Sequence, residues 1–139
     1  MTAEYVSQIT AAYPAIREVW LIGSRANSTE RPDSDWDYLA FADDDTLADL
    51  SQSERFNWPD MDLLVVADGV HFFKPWIDGP TQKNGSLVAD DWNWKQVSRT
   101  LATYTATKIG ANAWSTRVFE QRAIRVYPSP QQPISGIRE

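Results

Sequence analysis

Three short apolar runs constrain this chain more than anything else in it: EVWLI at residues 18–22, DWDYLAFA at 35–42 and MDLLVVA at 61–67. Each is too short for a buried helix and is rich in β-branched or aromatic residues, so each reads as a strand. The first stops at Gly23-Ser24, a tight turn; in the second, Trp36, Tyr38, Ala40 and Ala42 alternate with Asp37, Leu39 and Phe41, the pattern of a strand covered on both faces. Helical spacing lies around them. Tyr5, Val6, Ile9 and Tyr13 mark one face of a helix over 3–13 that Pro14 closes, and an acidic start with Leu47 and Leu50 three apart predicts a short helix over 43–50. Residues 27–34 are polar, with one proline, and form a loop.

The second half is less periodic. Residues 69–85 mix aromatics with Pro75, Gly79, Pro80 and Gly85, which suggests a strand or loop followed by a turn. Residues 87–103, with Trp92 and Trp94, fit either a long hairpin arm or a strand leading into a helix. Residues 118–120 read as the end of a helix and AIRVY at 123–127 as a last strand. The final stretch carries three prolines and few large apolar groups, so it reads as an extended tail. No repeat or linker divides the chain. The expected organisation is one domain over residues 1–127 and a Pro-rich tail over 128–139.

Composition narrows the partners. At 139 residues, 42% hydrophobic and 23% charged, the chain has the usage of an ordinary folded domain. A net charge of -6 and a pI near 4.7 argue against a surface that tracks phosphates through clustered Lys and Arg, so long nucleic acid is a disfavoured partner. No apolar run is long enough to span a bilayer, and the first residues lack the basic and apolar regions of a secretory signal, so the expected compartment is the cytoplasm and no membrane partner is expected. The absence of cysteine excludes disulfides, thiolate metal sites and a cysteine nucleophile.

The chemistry lies in the order of three features: a strand ending in Gly23-Ser24, Asp35-x-Asp37 opening the next strand, and Asp62 inside a third apolar strand. Alternate strand residues share a face about 6.6 Å apart, and a neighbouring strand lies about 4.8 Å away, so three carboxylates can converge. Convergence without a counterion is unfavourable: at roughly 6 Å and an effective dielectric of about 20, each pair repels by about 3 kcal/mol. Oxygen-only ligation points to a hard ion such as Mg²⁺, and two such ions can clamp an in-line displacement at phosphorus. Asp60 shares the parity of Asp62, but it follows Pro59 outside the apolar run.

The stretch VWLIGSRANSTERPDSDWDYLAF closely resembles the signature of the DNA polymerase beta-like nucleotidyltransferases, in which a Gly-Ser turn, often followed by Arg-Ala, precedes a Ser-Asp-x-Asp at the head of a strand. Here the motif is Gly23-Ser24-Arg25-Ala26 and Ser34-Asp35-Trp36-Asp37. The resemblance runs from about residue 18 to 66, with AIRVY similar to the closing strand. It implies a small stand-alone domain of α+β class, with a small mixed sheet flanked by helices. It also implies that Asp35 and Asp37 bind Mg²⁺, with Mn²⁺ as a substitute, that Asp62 completes the metal-binding triad and assists as a base, and that Gly23 and Ser24, with Arg25, hold ATP or another nucleoside triphosphate. The implied reaction moves a nucleoside monophosphate onto a hydroxyl or phosphate acceptor, on a small molecule or a partner protein. One departure is Asn27-Ser28, where minimal members commonly have glycine.

Plainer readings exist for each part. A solvated acidic edge would explain the aspartates, an ordinary turn Gly23-Ser24, and a surface pairing with Glu30 would explain Arg25. Trp92 and Trp94 suit either a wall for a base or packing. Lys74, Lys83 and Arg99 are candidates to neutralise phosphate, and His71 reads as structural or exposed. The alternative function is a catalytically inactive binding or antitoxin-type interaction module that keeps the signature without turnover.

Overall fold

The computed structural model describes residues 2–77, 83–88, 92–108 and 117–128. The tail expected over 128–139 lies outside the described residues from 129 onward. Helix α1 (Thr2–Ala12) is followed by strand β1 (Glu18–Ile22), a 3-10 turn (Ser24–Ala26), β2 (Trp36–Phe41), α2 (Asp44–Ser51) and β3 (Met61–Val66). Five more strands complete the order: β4 (His71–Phe73), β5 (Asn84–Ser86), β6 (Lys95–Gln96), β7 (Leu101–Lys108) and β8 (Arg117–Tyr127). They form one sheet in the order β5-β4-β3-β2-β1-β8-β7-β6, in which only β2 and β3 run parallel. A parallel pair needs a crossover, and α2 supplies it.

Local chemistry explains the elements read from sequence. The side chain of Asp43 accepts a hydrogen bond from the Thr46 amide and caps α2, satisfying one of the donors that a helix start leaves open. In α1, Tyr5, Val6 and Ile9 are buried, and the Tyr5 hydroxyl donates to the Phe56 carbonyl at 2.8 Å, which anchors the helix to the loop before β3.

Strand alternation divides the apolar residues between two faces. On one, Val19, Tyr38, Ala40, Leu63 and Val65 pack with Tyr5, Ile9, Leu50 and Phe56, so both helices lie on that side. On the other, Trp20, Ile22, Leu39, Leu64 and Val66 pack with Phe72, Leu87, Ala102, Tyr104 and Ala123, and Trp92 and Trp94 close over them.

This arrangement corrects the expected α+β class. Among the described residues the protein is mostly β, an eight-stranded mixed sheet curled into a half-barrel with two short helices, rather than a small sheet flanked by helices. The difference comes from the second half of the chain. Residues 118–120, read as the end of a helix, belong to β8, which pairs along its length with β7 and at its end with β1. Of residues 87–103, left open between a hairpin arm and a strand leading into a helix, 89–91 lie outside the described residues, 87–88 and 92–94 lie outside the strands, and the rest include the short β6 and the start of β7. Leu87, Trp92 and Trp94 lie over the second face: Leu87 donates to Val70, Trp94 to Leu87 and Thr105 to Trp92, all through backbone amides at 2.7–2.8 Å. Among the described residues, the side chains of Trp92 and Trp94 cover this concave face.

Candidate functional site

The pairing of β2 with β3 fixes the centre of the site. The strands are in register with Asp37 opposite Asp62, and alternation turns both side chains to the concave face. Asp35 has the same parity, stands one residue before β2 and is exposed. Among the described residues no group of three carboxylate or imidazole side chains is gathered around one point; the acids brought side by side are Asp37 and Asp62. Asp60 is exposed outside the strand with φ 65°, and its carbonyl accepts from the Trp36 amide at 2.8 Å, so its role is to align β2 with β3. His71 is exposed and pairs with Asp68 at 2.8 Å in the turn before β4.

The carboxylates are perturbed as their crowding requires. Burial first, and then the neighbouring Asp62, push Asp37 up to about 6; Asp35 adds to the rise while Lys83 and Lys74 oppose it. Asp62 has cations on both sides, with the Lys74 ammonium 3.3 Å from Oδ1 and that of Lys83 3.6 Å from Oδ2. Neither distance is that of a strong charge-assisted hydrogen bond, and Oδ1, withdrawn from solvent, accepts no hydrogen bond from a described residue. Two adjacent carboxylates, one raised by desolvation and repulsion and one with an unsatisfied oxygen, form an oxygen donor set that fits a hard divalent cation.

The Gly23 turn lies against this pair. Gly23 has φ 73°, and a Cβ placed there would collide with the Asp37 carboxylate. Any other residue would be strained by the backbone and would push the acid out of place. Ser24 opens the 3-10 turn, and its carbonyl accepts from the amides of Asn27 and Thr29. The turn is also pinned from outside: Asn27 Nδ2 donates to the carbonyls of Gly23 and Arg122, the Arg122 amide returns a bond to Asn27 Oδ1, and Arg122 Nε donates to the Ala26 carbonyl. Asn27 thereby staples the turn to β8, and Ser28 takes the left-handed conformation, φ 59°, that a glycine would favour.

Arg25 is engaged with its own loop. Its guanidinium donates to the Ser34 carbonyl through Nε and Nη2, at 3.2 and 2.9 Å, and to the Pro32 carbonyl at 3.4 Å, with its carbon 4.1 Å from the centre of the Trp36 ring. These bonds hold the polar loop that delivers Asp35 and Asp37, and the pairing with Glu30 that the plainer reading of Arg25 gives is not among them.

A cavity of about 130 Å³ opens beside the acids, lined among the described residues by Ile22, Gly23, Asp37, Asp62, Leu64, Lys83, Trp92 and Tyr104. The last three come from the half of the chain that the signature does not reach. The Tyr104 hydroxyl accepts from the Gly23 amide at 2.8 Å, and burial, with Asp37 adding to it, raises the phenol above its ordinary value although that hydrogen bond pulls the other way. Trp92 packs against both Tyr104 and Phe72, each ring centre 4.7 Å away, so its ring is already part of the core. Of the two readings of Trp92, the contacts favour packing. Proximity in sequence could not have revealed Tyr104, which lies 81 positions from Gly23. No family model, curated protein or solved structure matches this chain.

Proposed function

We propose that the protein is a metal-dependent nucleotidyltransferase that moves a nucleoside monophosphate from a nucleoside triphosphate to a hydroxyl or phosphate on a small molecule or partner protein. The observation that carries this reading is the in-register pair Asp37 and Asp62 on one face of the sheet, in contact with the Gly23 turn and open to a cavity. It is supported by the resemblance of Gly23-Ser24-Arg25-Ala26 and Ser34-Asp35-Trp36-Asp37 to the nucleotidyltransferase signature.

Asp37 and Asp62, with Asp35 at the rim, would hold Mg²⁺, or Mn²⁺ in its place. The ion would neutralise phosphate oxygens at the α-phosphorus and the leaving group. The chain's own residues do the rest. Gly23 and Ser24 present the turn against which the triphosphate lies, and Arg25 keeps the acid-bearing loop in position. The acceptor oxygen forms a bond to the α-phosphorus, the bond from that phosphorus to the bridging oxygen breaks, and pyrophosphate leaves with the electron pair. The acceptor's proton passes to a carboxylate, a role the family resemblance assigns to Asp62.

The test is incubation with each labelled nucleoside triphosphate and Mg²⁺ or Mn²⁺, alone and with cell lysate, comparing the wild type with Asp37→Asn. Label transfer that the variant loses is the expected result; no transfer by the wild type under any of these conditions would exclude the enzyme.

One observation favours a second reading, nucleotide binding without turnover as an interaction module. Asp62 already has two lysine partners, so its charge is compensated within the chain. That reading predicts a higher melting temperature with Mg²⁺ and nucleotide but no label transfer.

A further inference from the structure

Lysines beside a carboxylate usually need no explanation beyond charge balance, yet the arrangement around Asp62 is poorly suited to that purpose alone. An exposed pair contributes little to stability, and Lys83 is 58% exposed with its ammonium 3.6 Å from the carboxylate. Its position is nevertheless built. The Lys74 amide donates to the Lys83 carbonyl at 2.8 Å where β4 and β5 run side by side, which brings both stems to the same end of the strand pair. From there Lys83 reaches the wall of the cavity that Gly23, Asp37 and Asp62 share. Lys95, on β6 at the far edge of the sheet, is exposed and does not line it.

The size and lining of the cavity limit what Lys83 can meet. Pockets that enclose a whole small ligand hold about 300–1,000 Å³, and 130 Å³ suits only one end of a substrate. The Trp92 ring is already packed on Phe72 and Tyr104. A chain of phosphates is narrow and highly charged, and it would supply the close anionic partner that Lys83 lacks at Asp62.

We propose that Lys83 is a polyphosphate-binding residue, and that the end of the substrate which enters this cavity is its phosphate chain, with the nucleoside left outside. The proposal rests on the nucleotidyltransferase reading for the identity of the substrate but not for the existence of the anion site. Lys74 keeps the acids compensated while Lys83 exchanges Asp62 for phosphate. The substrate class is therefore recognised first by its phosphates.

Calorimetric titration of inorganic tripolyphosphate with Mg²⁺ tests this without a base, a sugar or turnover. The wild type should bind, Lys83→Gln should raise Kd about tenfold, roughly 1.4 kcal/mol, Lys83→Arg should recover part of the loss, and Lys95→Gln should match the wild type. Melting temperatures of all three variants should stay unchanged, because both lysines are exposed. A wild type that does not bind tripolyphosphate overturns the proposal, and so does equal binding by Lys83→Gln. If tripolyphosphate binding depends on Lys83 but no nucleoside triphosphate yields transfer, the anion site stands and the enzymatic reading falls. If transfer depends on Asp37 but is indifferent to Lys83→Gln, the reverse holds.

Discussion

Along β2 and β3, neighbouring residues face different surroundings. Tyr38, Ala40, Leu63 and Val65 meet α1 and α2 in an apolar core, whereas Asp37, Leu39, Asp62 and Leu64 turn to the concave face, where carboxylates and lysines sit beside buried aromatics. The same two strands thus hold a face that stabilises and a face that carries charge at a cost. Burial on the helix side fixes their register, since a one-residue slip would send every side chain to the opposite face. Asp37 and Asp62 are held together by residues that never touch them. The repulsion between the two acids is sustained by the packing behind them.

That division is most easily broken at Gly23. In Gly23→Ala the new methyl meets the Asp37 carboxylate and the backbone is held at a φ that L-residues disfavour. Transfer activity should fall on the order of 100-fold from displacement of the acid. Gly69 has a comparable φ of 82° but open space around it, so Gly69→Ala should cost only about 1–2 kcal/mol of backbone strain and leave transfer intact. Equal losses of activity in the two variants would mean that the Gly23 turn matters for its conformation and not for its contact with the acid.

The next contrast sets one face against the other by stability. Leu63→Ala removes a side chain buried on the helix face and should cost about 2–5 kcal/mol in denaturant unfolding. Asp37→Asn should do the opposite in metal-free protein. The folded state raises the acid from 3.8 to about 6, so the wild type is penalised progressively as pH rises from the first value to the second, and fully above both. The amide should therefore stabilise the protein by on the order of 1 kcal/mol at neutral pH, less than the full shift would give because water still reaches the group. Below 3.8 the advantage should disappear. A variant that is less stable at neutral pH would show that Asp37 is compensated, and the charged face would lose its distinction from the apolar one.

The same contrast explains how much was legible in the sequence. β1, β2, β3 and both helices could be read because each is a local pattern: an apolar run, an alternation, a capping aspartate or a helical face. The paired acids were legible for the same reason, since strand parity alone turns Asp37 and Asp62 to one side once their strands adjoin. Lys83 and Trp92 could be named but not placed, and Tyr104 could not be singled out at all, because their positions depend on how β4, β5, β7 and residues 87–88 and 92–94 return over the sheet. The curl of the sheet was hidden for a related reason. β7 and most of β8 contain Thr, Arg, Gln and Glu where a strand signal would be apolar; only AIRVY at the end of β8 reads as a strand by itself, and it is the pairing of β8 with the distant β1 that joins β7 and β8 to the sheet. Arg25 was the reverse case, a residue with a suggestive position whose guanidinium is taken up by loop carbonyls.

The smallest expected effect belongs to the contact that ties the two halves together. Tyr104→Phe deletes the hydroxyl that accepts from the Gly23 amide, and with cavity water able to take its place the cost should be about 0.5–1 kcal/mol in thermal or denaturant unfolding. Its effect on binding is more informative than its effect on stability. In the free protein the phenol oxygen occupies the donor that a phosphate oxygen would use in the proposed reaction, so its removal takes away an internal competitor. Nucleotide should then bind a few-fold more tightly, the factor that about 0.5–1 kcal/mol represents. Weaker binding would make the hydroxyl a contributor to the substrate site instead, with Tyr104 shaping the turn for phosphate and not standing in for it.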